Sequence, residues 1–313
     1  MKQRPAGFDE AMLVDALRDD WGIAADELEY LALGFGGHHW RAAAAGAAWF
    51  LTVNDIHEID QLQPAFAAAR WLEVSAGMEF VVGPRPARTG ELVQPLGRRF
   101  ALSVYPWLDQ VQPMHDPDGV LTAGLLKRLH AVALPRGLAR TEDFILPRRR
   151  QLEMVLADTD AAWDGGPYGP AARAVAREYG AGIRKLLQLY DRLVELTPRE
   201  EWVITHGEPY GANLLSDERH KLYLVDWDSA LYAPRERDLW GLPRTESART
   251  AYDRAGDERV MRLYRAWYAL AELGLYLALF RGPHPGDDND AQSWANVHLF
   301  LPTAETWPEF IDK

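Results

Sequence analysis

The segment between Thr205 and Trp240 holds polar residues whose types and spacing suit the binding of a hard cation. Glu208 is followed five residues later by Asn213, and an apolar run then leads to Asp226 and Asp228. Oxygen-bearing side chains at the end of a strand are the ligands that Mg²⁺ prefers, and substrate phosphates fill its remaining positions. Phosphoryl transfer also needs a carboxylate that receives the proton of an acceptor hydroxyl. This segment has more carboxylates than the metal ion alone would need.

Each of these residues also has an ordinary structural interpretation. An asparagine can cap a loop, an aspartate can close the turn after a strand, and a glutamate can merely support the loop or the metal. The spacing of Asn213 and Asp226, beside the dipeptide His206–Gly207, favours metal binding for that pair. For Glu208 we favour a catalytic role over loop support.

Charged residues follow the loop at Glu236, Arg237 and Asp238. We interpret them as a buried ion network that seats the metal-binding loop, with direct substrate contact as the alternative. The adjacent pair His38–His39 has the composition of a metal site, but neighbouring residues of a strand point to opposite faces. Joint ligation by this pair is therefore not expected.

The elements around this segment divide the chain into a strand-rich part and a helical part. The sequence LALGFGGHHWRAAAAGAAWFLTVND predicts three short strands with glycine turns between them. Pro64 is expected to open a helix, and two further strands are expected at Phe80–Val82 and in RFALSVYPWL. Pro106 ends the last of these, so we place a hinge at Val104–Asp109.

Helical periodicity dominates after that hinge. Apolar residues recur at helical spacing near residues 121–132, 183–194 and 260–275, and short strands flank the polar loop. We therefore predict an α+β fold of two lobes, with a small β-rich N-terminal lobe over residues 1–105 and a larger, mostly helical lobe over residues 106–313.

The amino-acid composition excludes several classes of protein and site. The 313 residues contain no cysteine, which excludes disulfides and thiolate metal sites, and no run is long enough for a membrane helix. The formal charge of −12 argues against a nucleic-acid partner, because such binding rests on basic surface. Acidity suits a cationic small ligand, although solubility alone also accounts for it. A cytoplasmic protein with neither nucleic-acid nor membrane partners is expected.

The sequence resembles the aminoglycoside phosphotransferase family, which has a protein-kinase-like fold, and is most similar to its spectinomycin phosphotransferase-like members. The motifs that carry the resemblance are H-G-x-x-x-x-x-N at His206–Asn213, V-D-W-D at Val225–Asp228, P-x-E-R-D-L at Pro234–Leu239, L-x-x-L-H at Leu126–His130 and Y-P-W-L at Tyr105–Leu108. The similar layout runs from about residue 20 to about residue 300. The resemblance implies an O-phosphotransferase that uses Mg²⁺ and ATP, or GTP in its place.

The resemblance also implies roles for individual residues. Asn213 and Asp226 would hold magnesium, Glu208 would orient or deprotonate the acceptor hydroxyl, and His206 would brace the loop. The nucleotide would be bound by a glycine flap over the phosphates, the third strand and the hinge backbone. The residues concerned are Gly34, Gly36, Gly37, Thr52, Tyr105 and Trp107.

Two residues depart from the family pattern. Glu208 stands where the family has an aspartate, which moves the carboxylate by about one carbon–carbon bond, and errors of that size can reduce rates about a hundredfold. Thr52 stands where a lysine pairs the nucleotide phosphates, and Arg41 is the nearest basic residue. A catalytically silent binding module of the same fold is therefore the alternative to an active enzyme.

The acceptor is expected to be a small hydroxylated molecule. An aminoglycoside, an aminocyclitol or another hydroxylated metabolite would fit, and the first two would connect the protein with antibiotic resistance. Asp228 and Glu272 are candidates for contacting a cationic acceptor.

Overall fold

The computed structural model describes residues 1–5, 7–34 and 36–301. Its N-terminal part contains strands β1 (Glu27–Leu31), β2 (His38–Ala44), β3 (Ala47–Asp55), β4 (Gln94–Leu96) and β5 (Phe100–Pro106). They form one antiparallel sheet in the order β1-β2-β3-β5-β4. The expected three-stranded meander is confirmed, and Gly34, Gly36 and Gly37 lie between β1 and β2.

Alternation along the strands gives this sheet one apolar face. Trp40, Leu51 and Val104 belong to that face and are fully buried. Helix α1 (Ala11–Ala16), which continues as a π-helical turn over Leu17–Trp21, packs on it through Leu13 and Leu17. This packing buries the hydrophobic core of the sheet.

The opposite face, which we call the site face, carries polar and aromatic side chains. Strand pairing places His39 opposite Thr52, Thr52 opposite Ser103, and Phe50 opposite Tyr105. Helix α2 (Ile59–Val74) packs beside Tyr105 through Leu62 and Phe66.

Two local expectations were wrong. Helix α2 begins at Ile59, so Pro64 lies inside it rather than at its start, and the Asp55 side chain caps the preceding 3₁₀ turn by accepting from the His57 N–H. Residues 80–82 form no extended strand; they make a single parallel bridge between Val81 and Leu224. An apolar triplet is too short to distinguish these outcomes.

The chain divides into two compact units, one with residues 1–142 and 201–255, the other with residues 143–200 and the described residues from Gly256 onward. The remaining elements of the first unit are short strands and helices. They are β6 (Gln112–Pro113), α3 (Val120–His130), β7 (Val203–Thr205), β8 (Leu214–Ser216), β9 (Leu222–Leu224), β10 (Leu231–Ala233), α6 (Glu236–Leu239) and α7 (Glu246–Tyr252). β7 pairs with β10, and β8 lies between β6 and β9.

The second unit is helical. Its elements are α4 (Arg149–Ala157), α5 (Gly169–Leu196), α8 (Glu258–Arg281) and α9 (Asp288–Phe300). Asp257 and Asp287 cap α8 and α9 by accepting backbone N–H groups of the first turn, which are otherwise without partners. The predicted fold class, an antiparallel sheet followed by a mostly helical part, is confirmed. The lobe boundary after residue 105 stays a prediction.

Within the part of the chain that the structure describes, no helix combines the length and the apolar character needed to span a membrane.

Candidate active site

The loop after β7 is held by one buried carboxylate. Asp238, on α6, accepts the backbone N–H of His206 at 2.9 Å and that of Gly207 at 2.6 Å. Its side chain is fully buried. The two N–H groups follow each other in the chain, so a single carboxylate fixes the direction in which the loop leaves the strand.

Asp238 is itself supported by a buried chain of side chains. The His130 Nε2 lies 3.0 Å from the carboxylate, and the His130 Nδ1 lies 2.7 Å from the Tyr252 hydroxyl. Burial alone would raise the pKa of Asp238, but the hydrogen bond from His130 and the charge of Arg237 outweigh it and lower that pKa. The carboxylate therefore stays ionised and keeps its two loop donors.

Arg237 ties the loop to the turn that follows Asp228. Its guanidinium donates to the Thr205 hydroxyl at 3.0 Å and to the Ser229 carbonyl at 2.8 Å. Gly207, with φ of 106°, lies so close that an added Cβ would approach this guanidinium to 2.6 Å. Glycine is therefore required at position 207 on both steric and conformational grounds.

His206 connects the loop to the strand that carries the carboxylates. Its Nε2 lies 2.8 Å from the Val225 carbonyl, and its Nδ1 accepts the Glu208 N–H at 3.2 Å. The ring meets Trp227 edge to face at 4.6 Å. Burial lowers the pKa of His206 to about 4, so the imidazole is neutral at pH 7 and donates from Nε2.

Asp226 and Asp228 form a pair of carboxylates without hydrogen-bond donors. Neither accepts a hydrogen bond from any described residue, and both are exposed to solvent although protein surrounds them on most sides. Desolvation by this surrounding protein raises the pKa of Asp226. For Asp228 the same desolvation and the charges of Asp226, Glu208 and Glu58 raise the pKa well above its ordinary value. Such a group of like charges is stabilised by a bound cation.

Asn213 completes the oxygen donors of this group. Its Nδ2 donates to the Glu208 carbonyl at 3.1 Å, which leaves its Oδ1 without a partner among the described residues. No three His, Asp or Glu side chains in residues 1–5, 7–34 and 36–301 are arranged to hold a metal by themselves. Mg²⁺ in nucleotide sites uses one or two carboxylates together with phosphates, so the donor set of Asn213 and Asp226 fits that ion.

Of the residues predicted to bind nucleotide, Thr52 and Tyr105 lie on the site face of the sheet, and Gly34, Gly36 and Gly37 lie between β1 and β2. The charges of Asp226 and Asp228 contribute, after burial, to raising the pKa of Tyr105, which places the Tyr105 phenol near these carboxylates. The Trp107 N–H donates to the Ala48 carbonyl at 3.3 Å, so this hinge donor is already engaged. Thr52 contacts His39, with 3.3 Å between its hydroxyl and the His39 Nδ1.

The structure thus brings Glu208, Asn213, Asp226 and Asp228 together in the first unit. Glu272 lies on α8 in the second unit, where desolvation raises its pKa. Sequence reasoning missed Glu58, which accepts from the Asn54 Nδ2 at 3.1 Å and adds negative charge beside Asp228. In the sequence, Glu58 could have been found only as an acidic residue soon after β3.

We expect the substitution Asp238→Asn to destabilise the first unit by about 2–4 kcal/mol, because the amide turns one acceptor into a donor that faces buried N–H groups. Asp217→Asn is the matched control, since Asp217 also accepts two backbone N–H groups but is only half-buried. It should lose less than about 1 kcal/mol. Urea unfolding followed by tryptophan fluorescence measures both; equal losses would contradict the assignment.

The lowered pKa of His206 makes stability depend on pH. Between its unfolded pKa near 6.5 and its folded pKa of about 4, the unfolded chain binds more protons, so stability falls as pH decreases through this window. In His206→Gln this contribution is absent. The stability advantage of the wild type over the variant should shrink by about 2 kcal/mol from pH 7 to pH 5. A constant difference between the two proteins would show that His206 titrates normally.

Comparison with known proteins agrees with this geometry. A model of the phosphotransferase enzyme family matches residues 27–274. Protein StrN of Streptomyces griseus is 30% identical over 291 residues, which cover 88% of this chain and 86% of StrN.

Solved structures show a similar fold. A spectinomycin phosphotransferase in complex with ADP and spectinomycin has a TM-score of 0.76 at 16% identity, covering 98% of each chain. An amicoumacin kinase in complex with AMP-PNP and Ca²⁺ has a TM-score of 0.61 at 13% identity, covering 97% of this chain and 94% of that one. The resemblance drawn from the motifs at residues 206–239 is confirmed: the chain belongs to the phosphotransferase enzyme family and is an enzyme of its kinase-like fold.

Proposed function

We propose that this enzyme transfers a phosphoryl group from magnesium-bound ATP to a hydroxyl group of a small molecule. The observation that carries the proposal is the pair Asp226 and Asp228, two carboxylates to which no described residue donates a hydrogen bond, beside a loop fixed by buried contacts. Carboxylates that repel one another in a folded protein are typical of cation-binding and catalytic sites. Structural relatives bound to ADP, AMP or AMP-PNP support nucleotide as the phosphoryl donor.

Asp226 and the Oδ1 of Asn213 would hold the metal ion. Magnesium-bound ATP supplies the transferable phosphoryl group, and its metal neutralises charge on the phosphates. Glu208 would accept the proton of the acceptor hydroxyl, since it projects from the fixed loop beside Asp228. His206, Arg237 and Asp238 would position the loop without contacting substrate.

The acceptor is proposed to be a hydroxylated cation. Relatives of this fold are named for spectinomycin, amicoumacin, aminopropanol and choline, and the last two combine a nitrogen with a hydroxyl group. Asp228 would attract such a nitrogen. An aminoglycoside or aminocyclitol acceptor would make antibiotic resistance the biological outcome.

A silent binding module is the second candidate function, and Thr52 is the observation that favours it. No lysine of the five sheet strands faces the site, so a nucleotide would lack its usual cationic partner on β3. Measurable phosphoryl transfer by the wild-type protein would exclude the silent module, and its absence would favour it.

Asp226→Asn should reduce phosphoryl transfer at least about a hundredfold, because the variant loses a charged metal ligand. Asp253→Asn is the matched control: Asp253 has the same left-handed backbone, with φ of 65° against 66° for Asp226, but lies on the surface. Mass spectrometry of an acceptor panel incubated with ATP and magnesium detects the gain of phosphate. Retained turnover in Asp226→Asn would remove Asp226 from the metal site.

Glu208→Gln should lower kcat about 10²- to 10⁴-fold while leaving nucleotide affinity unchanged, since a general base acts on the acceptor and not on the nucleotide. Glu201→Gln, at an exposed glutamate of the same unit, should behave like the wild type. If the wild type has no turnover and Glu208→Asp creates it, the silent module is the correct function.

A further inference from the structure

The missing lysine leaves the site face with few cationic groups. Among the described residues of the five sheet strands, His39 and Arg41, both on β2, are the only basic side chains on this face. Arg41 lies over the Trp107 ring at 5.4 Å, so its guanidinium is engaged beside the hinge. His39 stands directly opposite Thr52, the position where the family has lysine.

The His39 ring is held in one orientation. Its Nδ1 lies 3.3 Å from the Thr52 hydroxyl, and its ring stacks on Phe50 at 5.0 Å with an interplanar angle of 29°. The imidazole of His39 is therefore fixed in the region that the side chain of a lysine at position 52 would reach. This arrangement leaves Nε2 as the nitrogen available to a ligand.

The glycine turn lies against this same nitrogen. A Cβ on Gly34 would be 3.2 Å from the His39 Nε2, and a Cβ on Gly37 would be 3.4 Å from its Cε1. Gly34 and Gly37 thus pack against the edge of the imidazole that carries Nε2. Backbone N–H groups of a glycine turn and a nitrogen donor are the groups that bind phosphate oxygens.

Two further polar groups beneath the turn lack partners. Ser103 is fully buried and Asn54 is 8% exposed, and neither the Ser103 Oγ nor the Asn54 Oδ1 has a hydrogen bond within the described residues. Ser103 pairs with Thr52 across the strands, and Asn54 follows Thr52 on the same face. Buried polar atoms are almost always satisfied in folded proteins, so a ligand or a water molecule is needed to complete the hydrogen bonds of these two atoms.

The negative charges near this patch determine what a bound polyphosphate would need. The site face turns towards Asp226 and Asp228 through Tyr105, and Glu58 and Glu208 add two more negative charges there. A polyphosphate in this field needs a cation to offset its charge and hydrogen-bond donors to hold it. Burial lowers the pKa of His39 to about 4, so at pH 7 its imidazole is a neutral donor. Magnesium would supply the cation, and the side of the sheet requires a donor from the protein.

We propose that His39 binds the nucleotide phosphates from the sheet side and takes the place of the absent lysine at position 52. This inference rests on the proposed function, because it concerns the same nucleotide. His39 donates from Nε2 while Thr52 and Phe50 hold its ring, and the glycine turn covers the phosphates from above. The histidine is a binding residue and takes no part in proton transfer to the acceptor.

The test is calorimetric binding of ATP, ADP and adenosine, each with magnesium, to four proteins: the wild type, His39→Asn, His38→Asn and the double variant His39→Asn with Thr52→Lys. His38 is the matched control, since it is adjacent to His39 but lies on the opposite face, near the Tyr30 hydroxyl. His39→Asn should weaken ATP and ADP about 10- to 100-fold and leave adenosine unchanged, because only the phosphates lose a partner. His38→Asn should bind like the wild type, and the lysine should restore ATP binding.

Each outcome separates the inference from the proposed function. If the wild type binds ATP and His39→Asn binds it equally well, the role of His39 is refuted and the proposed function stands. Equal weakening of ATP and adenosine in His39→Asn would show a purely structural role and would also refute the inference. If the wild type binds no nucleotide, the proposed function fails and the inference fails with it.

Discussion

Repulsion among four carboxylates is the constraint around which this site is organised. Asp226 and Asp228 lie beside Glu208 and Glu58, and no described residue donates a hydrogen bond to either aspartate. A folded chain tolerates such a group when ligands supply the missing positive charge. The same constraint explains why magnesium fits Asn213 and Asp226, and why a nucleotide needs a donor from the sheet.

Unlike these carboxylates, the polar residues that hold the loop have hydrogen-bond partners within the protein. Asp238, Arg237 and His206 are buried and make hydrogen bonds that fix the backbone of the loop. Removing one partner from such a network leaves another buried group unpaired, and we therefore propose that these residues affect activity through the position of the loop. Satisfied groups thus hold the geometry, whereas Ser103 and Asn54 each keep a buried polar atom without a hydrogen bond among the described residues.

The sequence predicted the loop better than its surroundings. Motif spacing led to Glu208, Asn213 and Asp226 because these residues are close in the chain, within one strand-loop-strand unit. Glu58 escaped prediction because its proximity to Asp228 arises from tertiary packing, and residues 80–82 were assigned wrongly because a single bridge to Leu224 has no periodic signal. The opposition of His39 and Thr52 depends on strand register, which motifs do not contain.

We propose that the four carboxylates at this site accept a nucleotide only together with a divalent cation. Calorimetric titration of the wild-type protein with ATP, in the presence and in the absence of magnesium, tests this most directly. We expect micromolar to low millimolar binding with magnesium and none detectable without it, because the uncompensated phosphates would face Asp226 and Asp228. Equal binding under both conditions, or no binding under either, would contradict it.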